Sequence, residues 1–241
     1  GETTKPEMVK NIKEGEVDLI IGTHALLQEK VKFKNLALAI IDEQHRFGVE
    51  QRAKLKKIDQ HPRTAPHLLS MTATPIPRTL ALGIYGDLDL SIIDELPPGR
   101  QQIITKLVAP YNRDKAYEFI HQHIKAGRQV FVVCPLIEES DKLGVKSATE
   151  EYNKLSRKIF SEFKIGLLHG RLPKEEKEQT MGDFAAGRTN ILVSTSVIEV
   201  GIDVPNATIM MIEGAERFGL AQLHQFRGRV GRGKEQSYCF F

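Results

Sequence analysis

Leu38-Ala39-Ile40-Ile41-Asp42-Glu43-Gln44-His45 is the stretch of sequence that decides the fold. Its four leading apolar residues indicate a strand that is buried on both faces, as strands are in parallel sheets covered by helices. The strand ends on two adjacent carboxylates, whose side chains diverge and can therefore do different work. Hydrolysis of a nucleoside triphosphate uses one acid to hold Mg²⁺ and another to orient the attacking water. A structural alternative stays open, because an acid at a strand end can also cap a following helix.

Short apolar runs alternate with amphipathic segments along the rest of the chain. This alternation predicts an α/β fold of doubly wound parallel sheets. The predicted strands are Leu19–Gly22, Leu38–Asp42, Leu68–Thr72, Ile103–Leu107, Gln129–Pro135, Ile165–His169, Ile191–Thr195 and Thr208–Ile212. The predicted helices are Lys5–Lys13, Gly48–Lys57, Arg113–Ala126, Ser147–Phe163, Pro173–Ala186 and Ala221–Arg227.

Two polar segments interrupt this pattern. Asp94–Arg100 contains two prolines and a glycine, which suits a linker. The β-α-β pattern restarts after it, so residues 1–100 and 101–241 are predicted to be separate domains. Glu138–Lys146 is predicted to be a loop at the carboxyl end of a strand, where open parallel sheets place their ligands.

The composition excludes several classes of protein. A hydrophobic content of 41% with 27% charged residues is that of a globular chain and not of a disordered one. The net charge of +3 is too small to identify a polyanion partner, so any nucleic acid must bind a local patch. Apolar runs such as Leu36–Ile41 are far shorter than the ~20 residues of a membrane span. Cys134 and Cys239 lie in apolar runs and are predicted to be buried, reduced thiols, as expected in a reducing cytosol.

A second motif, Ser70–Arg78, follows another predicted strand and reads Ser-Met-Thr-Ala-Thr-Pro-Ile-Pro-Arg. Its small hydroxyl residues can hydrogen-bond a carboxylate, and Pro75 and Pro77 make its exit rigid. By itself the segment is equally typical of a proline-rich turn.

A third motif, Gln225–Gly233, reads Gln-Phe-Arg-Gly-Arg-Val-Gly-Arg-Gly and is densely cationic. Guanidinium groups match phosphate oxygens in shape, and glycines let the backbone approach a ligand closely. The alternatives are a solvated basic loop or a non-specific RNA-binding segment. The apolar helix predicted before these arginines favours an anchored phosphate-binding loop.

Two further strand ends carry polar residues. Ser194–Pro205 supplies hydroxyl groups, Gly201 and Asp203, which suit a nucleic-acid backbone, a ribose or an arginine. Ile165–Arg171 ends on His169, Gly170 and Arg171, although a histidine in this position is often structural.

The sequence contains no G-x-x-x-x-G-K-[ST] phosphate loop, and Lys234 follows Gly233 in a different context. Without that loop, a nucleotide would lack the backbone N–H groups and the lysine that hold its phosphates.

In their order, these segments resemble the later motifs of the superfamily 2 helicases. Asp42–His45 resembles the D-E-x-H box, Thr72–Thr74 the T-A-T coupling motif and Gln225–Arg232 the Q-x-x-G-R-x-G-R box. Within the superfamily, the chain is most similar to the bacterial branched-DNA helicases. This similarity rests on Ile41–Gly48, Met71–Leu80, Ile93–Gly99, Leu136–Ser140 and Gly219–Gly233. Transcription-repair coupling factors share several of these strings but typically have D-E-E-Q-R-F-G at the acidic motif.

The resemblance implies two RecA-like domains, the first of them truncated before its phosphate loop. It implies the motor of an ATP-dependent DNA helicase that uses ATP and Mg²⁺ to remodel replication forks and Holliday junctions in recombination and repair. The phosphate-loop half and an N-terminal wedge domain would lie in the same, longer protein. A monomeric motor on branched or duplex DNA, in the bacterial cytoplasm near the nucleoid, is expected. The alternatives are the motor of a transcription-repair coupling factor and a non-catalytic nucleic-acid-binding module.

The resemblance also implies roles for individual residues. In the Mg²⁺ site, Asp42 would hold the ion through water, and Glu43 would orient and activate the attacking water. The nucleotide state would be relayed by His45, Thr72, Ala73 and Thr74. Gln225, Arg229 and Arg232 would reach the γ-phosphate, while Gly201 and Asp203 would line the nucleotide cleft. Residues along DNA would be Thr23, His24, Arg78, His169, Gly170, Arg171 and Thr195. Because the phosphate loop is absent, this polypeptide alone is expected to hydrolyse ATP negligibly.

Overall fold

The computed structural model describes residues 5–28, 30–43, 66–72, 89–135, 142–196 and 203–241. Contacts within the chain divide it into two units, Gly1–Pro75 and Ile76–Phe241. The segment predicted to be a linker therefore groups with the second unit. A change of domain at residue 100 stays a prediction.

The first unit contains a short parallel sheet. Its described elements are helix α1 (Lys5–Glu14), a 3₁₀ turn (His24–Leu27), strand β1 (Leu38–Ile41) and strand β2 (His67–Ser70). β1 and β2 pair in parallel, with Ile41 opposite Ser70. The predicted strands at both places are confirmed to within two residues.

The strand predicted at Leu19–Gly22 is wrong, because no strand forms there. A strand needs backbone hydrogen bonds to a neighbour, and among the described residues β1 and β2 pair only with each other. Leu19 and Ile21 are accordingly 78% and 88% exposed. The predicted helix at Gly48–Lys57 lies outside the described residues.

The second unit alternates strands and helices, as predicted. Its strands are β3 (Ile104–Lys106), β4 (Gln129–Val133), β5 (Ile165–Leu168), β6 (Ile191–Ser194), β7 (Ala207–Ile212) and β8 (Tyr238–Phe240). Its helices are α2 (Arg113–Lys125), α3 (Lys142–Lys154), α4 (Lys174–Ala185) and α5 (Leu220–Arg227). Short helical turns occupy Pro110–Asn112, Leu155–Ile159 and Ala215–Arg217.

These strands form one parallel sheet in the order β3-β8-β7-β4-β6-β5. The central strands β4, β6 and β7 are buried along their whole length. Alternate residues of β4 enter two apolar cores, with Val132 in one and Phe131 in the other. The sheet is therefore covered on both faces at these central strands, which explains why they have no polar face in the sequence.

The loop predicted at Glu138–Lys146 is wrong from residue 142 onward, because α3 begins at Lys142. Gly144 disfavours a helix by about 1 kcal/mol relative to alanine. Extending an existing helix by a turn is nevertheless easier than nucleating a new one. The helix predicted at Ser147–Phe163 is likewise divided, since α3 gives way to a π-helical turn at Leu155–Ile159.

Both cysteines are buried free thiols, as predicted. Burial raises the pKa of Cys239 to about 12, and burial together with the charge of Glu151 raises the pKa of Cys134 further. In the part of the chain that the structure describes, no helix is long and apolar enough to cross a membrane.

Candidate functional site

The acidic pair and the second motif lie side by side in the first unit. Asp42 and Glu43 directly follow β1, and Met71 and Thr72 directly follow β2. The N–H of Met71 donates a hydrogen bond to the carbonyl oxygen of Ile41 at 2.8 Å, so the two strand ends are adjacent. The carboxylates and the first hydroxyl residue of the predicted coupling motif therefore share the carboxyl edge of this sheet.

Glu43 has an unusual backbone conformation. Its φ of 54° lies in the left-handed region, which residues with a Cβ atom adopt at a cost of about 1 kcal/mol. Its N–H donates to the Oδ1 atom of the preceding Asp42 at 2.9 Å. Strained conformations of this kind concentrate at functional sites.

The acidic pair fits Mg²⁺ bound together with a nucleotide. In such sites the ion takes one or two carboxylates and completes its octahedron with phosphate oxygens and water. Asp42 is exposed at the strand end and can present a carboxylate oxygen, while Glu43 is half-buried beside it.

The carboxyl edge of the second sheet brings together four of the residues predicted to contact DNA. His169, Gly170 and Arg171 follow β5, and Thr195 follows the adjacent strand β6. The N–H of Thr195 donates to the carbonyl oxygen of Leu168 at 3.2 Å, which ties the two strand ends together. Thr195 is only 1% exposed and supports this edge from within, whereas Gly170 and Arg171 face solvent. Their contacts with DNA stay predictions.

The arginine motif lies at the opposite, amino edge of the same sheet. α5 ends at Arg227, and residues 228–237, here called the arginine loop, lead into the start of β8. Arg232 lies 3.3 Å from Asp203, measured between Nη1 and Oδ1, and its Nε–H donates to the carbonyl oxygen of Gly228 at 3.3 Å. Asp203 itself precedes β7. The structure therefore joins two of the residues predicted to meet the nucleotide.

The arginine loop is anchored and is not a flexible basic tail. Phe226 and Val230, on either side of its start, are fully buried in the core. At Gly233 the backbone passes so close to Pro205 that a Cβ atom would lie 2.7 Å from the Pro205 carbonyl oxygen. Gln225 and Arg229 are half-buried beside these anchors.

A histidine next to the arginine loop was missed by the sequence analysis. His224 Nδ1 lies 3.0 Å from Arg227 Nη2. Partial burial, together with the charge of Arg227, lowers the pKa of His224 below its ordinary value of 6.5. Neutral His224 can accept a hydrogen bond from Arg227. An i, i+3 pair on a helix is the signal that could have found it.

A charged network at the carboxyl edge was also missed. Glu213, which follows β7, contacts Arg113 at the start of α2, and the Nε–H of Arg113 donates to the hydroxyl of Tyr117 at 2.6 Å. Lys154 donates to the same hydroxyl at 3.1 Å and pairs with Glu151 at 3.0 Å. Burial alone would lower the pKa of Arg113, but its hydrogen bonds to Glu213 and Tyr117 outweigh burial and raise it. This network ties the first residue after β7 to the start of α2. Glu213 ends an apolar strand just as Asp42 does, so the same rule could have identified it.

Some predicted residues have no described position. His45, Ala73, Thr74, Arg78 and Gly201 lie outside the described residues. Thr23 precedes the 3₁₀ turn His24–Leu27 and accepts a hydrogen bond from the N–H of Ala25 at 3.4 Å.

The two edges of the second sheet therefore carry different groups. The strands between them have three to six residues, which corresponds to about 10–20 Å. Residues predicted to contact DNA follow the strands, and residues predicted to contact the nucleotide precede them.

Comparison with known protein families identifies the class of protein to which this chain belongs. Residues 112–234 match the helicase conserved C-terminal domain, and residues 1–82 match the DEAD/DEAH box helicases. The chain belongs to the helicase family that carries this conserved C-terminal domain. The predicted RecA-like α/β fold is confirmed.

The relatives identify a particular helicase that the chain resembles. It is 58% identical over 243 residues to ATP-dependent DNA helicase RecG of Thermotoga maritima, covering 100% of this chain and 31% of the relative. Identity to RecG of Synechocystis sp. is 58% over 233 residues, covering 97% and 28%. A structure of RecG bound to a three-way DNA junction matches with a TM-score of 0.72 and 51% identity, covering 99% of this chain and 30% of that one. The resemblance to branched-DNA helicases is thus confirmed, and the chain spans about a third of the length of these relatives.

Proposed function

We propose that this chain is the motor segment of an ATP-dependent DNA helicase that remodels branched DNA, such as replication forks and Holliday junctions, in recombination and repair. The observation that carries this proposal is the identity of 58% to a RecG helicase along the whole chain. Neither a transcription-repair coupling factor nor a non-catalytic binding module is favoured, because the relatives named above, at 58% identity, are RecG helicases.

The acidic pair would divide the work of hydrolysis. When bound, Mg²⁺ neutralises charge on the nucleotide phosphates. Asp42, exposed at the end of β1, holds that ion through water. Glu43, turned by its left-handed backbone, orients the attacking water and accepts its proton. Thr72, with His45, Ala73 and Thr74, relays the state of the nucleotide to the rest of the motor.

The arginine loop would stabilise the charge that develops on the γ-phosphate. Gln225, Arg229 and Arg232 contribute polar and cationic groups, and arginines in this role are typically worth about 10³–10⁵ in rate. The Asp203–Arg232 pair holds Arg232 in place before the phosphate arrives. Because Asp203 is 66% exposed, the pair is weak, and a phosphate of higher charge displaces the carboxylate. Gly201 lines the same cleft.

The carboxyl edge of the second sheet would contact the DNA backbone. His169, Gly170 and Arg171 supply a ring nitrogen, an exposed backbone and a guanidinium group, and such groups bind phosphates without reading sequence. Thr195 supports this edge. Thr23 and His24 of the first unit, and Arg78, would also contact DNA.

A longer protein would complete the motor. The phosphate loop is absent from these residues, so we infer that the chain alone hydrolyses ATP negligibly and that the loop is supplied in cis. We also propose that the same protein contains a wedge domain for the branch point. It would act as a monomer and work on the bacterial nucleoid.

Replacement of Glu43 by glutamine in the full-length protein tests the function. A motor loses about 10²–10⁴-fold of its DNA-stimulated ATP turnover but still binds ATP, because glutamine keeps the shape of the glutamate side chain without its basicity. Glu95→Gln, an exposed carboxylate at the predicted linker, serves as the control and retains turnover. A wild-type protein that binds forks without hydrolysing ATP would instead be a passive binder.

A further inference from the structure

We infer that Arg100 is a positioning residue for the arginine loop. The Nε–H of Arg100 donates a hydrogen bond to the carbonyl oxygen of Gly231 at 2.7 Å, in a half-buried contact. Gly231 lies between Arg229 and Arg232 in the sequence. This inference rests on the proposed function, because it assigns Arg100 a role in placing Arg232, one of the arginines proposed to meet the phosphate.

The residues before Arg100 form a turn that presents its side chain. The N–H of Arg100 donates to the carbonyl oxygen of Pro97 at 3.1 Å, and Gly99 has a φ of +79°. Proline at the second position and a glycine of positive φ at the third make a type II turn. The segment Pro97-Pro98-Gly99-Arg100 is therefore more than a linker, because its geometry fixes the backbone position from which the Arg100 side chain extends.

Arg100 binds the carbonyl group of a glycine whose backbone conformation few other residues can adopt. Gly231 has a φ of +74°, which a residue with a Cβ atom rarely adopts, and a Cβ atom there would lie 2.9 Å from Ile103. Glycine can rotate its peptide planes more freely than other residues. The carbonyl that Arg100 holds belongs to the peptide joining Gly231 to Arg232, so this bond sets the direction in which Arg232 leaves the turn.

Further contacts join the same two segments. Gln101 Nε2 donates to the carbonyl oxygen of Lys234 at 3.2 Å, and Gln236 Nε2 donates to that of Gln102 at 2.8 Å. The N–H of Ile104 donates to the carbonyl oxygen of Ser237 at 3.0 Å, where β3 begins its pairing with β8. Arg100 thus makes the last of a series of contacts that begins with the pairing of β3 and β8.

The other side of the arginine loop is held by different residues. Arg128 pairs with Glu235 at 2.8 Å and donates to the Oδ1 atom of Asn206 at 3.3 Å. Arg232 pairs with Asp203 on that side. The loop is therefore held between the turn at Arg100 and the segment before β7. Because the turn forms the end of the predicted linker, Arg100 connects that segment to the backbone directly before Arg232.

The experiment compares Arg100→Ala with wild type in the full-length protein, measuring kcat and KM for ATP with fork DNA. Displacement of Arg232 by about 1 Å lowers kcat by roughly 10- to 100-fold. The KM for ATP changes little, because Arg232 acts mainly on the charge that develops in the transition state. On an Arg232→Ala background the Arg100 substitution has little further effect. A kcat equal to that of wild type, or effects that multiply in the double variant, would overturn the inference.

Two further variants separate positioning from folding. Gly99→Ala meets no neighbour within 4 Å but strains the turn at its positive φ, and it lowers kcat in the same way. Gln102→Ala removes an exposed neighbouring side chain, keeps the backbone carbonyl that Gln236 uses, and leaves kcat unchanged. If wild type itself lacks DNA-stimulated hydrolysis, the proposed function fails. If wild type is active and both turn variants match it, only the role of Arg100 fails.

Discussion

Asp203 and Arg232 form an ion pair at the amino edge of the second sheet, with 3.3 Å between Oδ1 and Nη1. The two residues lie in separate loops, each of which leads into a buried strand. Their side chains are 66% and 31% exposed, so water screens the attraction and the pair contributes about 0–1 kcal/mol to stability. A pair of this strength can hold a side chain in position and still release it to a stronger partner.

The first prediction concerns this pair. In the full-length protein, Asp203→Asn changes the free energy of unfolding by less than about 1 kcal/mol. Arg232→Ala lowers kcat for ATP by about 10³-fold or more, because the transition state loses a cationic contact. Urea unfolding and steady-state hydrolysis with fork DNA measure the two effects. An Arg232→Ala protein with nearly normal turnover would exclude this arginine from the chemical step.

The second prediction uses the left-handed backbone of Glu43. Glycine adopts a φ of 54° without strain, whereas alanine keeps the strain and loses the carboxylate. Glu43→Gly is therefore expected to be about 1 kcal/mol more stable than Glu43→Ala, although neither hydrolyses ATP. Chemical denaturation of the two variants provides the comparison. Equal stabilities would mean that the backbone at Glu43 is not strained.

The third prediction concerns the carboxyl edge of the second sheet. Arg171→Ala weakens binding to fork and duplex DNA alike and reduces the slope of log K against log salt by about one, as expected for the loss of one phosphate contact. Arg188→Ala is the matched control, because Arg188 precedes β6 at the other edge and pairs with Asp183 at 2.6 Å. Fluorescence anisotropy over a range of salt concentrations gives both slopes. Identical behaviour of the two variants would contradict the assignment.

The fourth prediction concerns Glu213. Replacement by alanine removes the nearer of the two carboxylates beside half-buried Arg113, leaving Glu151 at 3.8 Å, and lowers the free energy of unfolding by about 1–2 kcal/mol. The lower part of the usual range applies because the Arg113 side chain is 39% exposed. Glu216→Ala removes a nearby carboxylate that is 76% exposed, and it is expected to change stability little. If both substitutions cost the same, the network at Glu213 does not stabilise the protein.

The fifth prediction is a pH dependence at His224. Its pKa is lowered in the folded protein, so between the folded and the unfolded pKa the unfolded chain binds a proton that the folded one resists. Stability is therefore lost as the pH falls below about 6.5. The loss between about pH 7.5 and pH 5.5 is expected to be smaller in His224→Gln than in wild type.

The buried parallel strands could be predicted because they appear in the sequence as short runs of mostly apolar residues. β4, β6 and β7 are dominated by apolar residues, and polar residues mark the place where such strands end. The same logic fails at Leu19–Gly22, since an apolar run does not become a strand without a neighbour to accept its hydrogen bonds.

The amino edge could not be predicted in the same way. Arg100 reads as the end of a proline-rich turn, and its partner is the carbonyl of a distant glycine. Every residue has a backbone carbonyl, so no pattern of residue types predicts such a contact. The pair of Asp203 and Arg232 also depends on two loops meeting in space, which only the strand order brings about.

The placement of the two predicted surfaces on opposite edges of one sheet has a consequence for evolution and for engineering. Loops that follow the strands can be exchanged without disturbing those that precede them, since a rigid core lies between. A related chain could therefore acquire a surface for a different nucleic acid while its predicted nucleotide-contacting edge stayed as it was. Grafting carboxyl-edge loops from another member of the family would make such a hybrid in the laboratory.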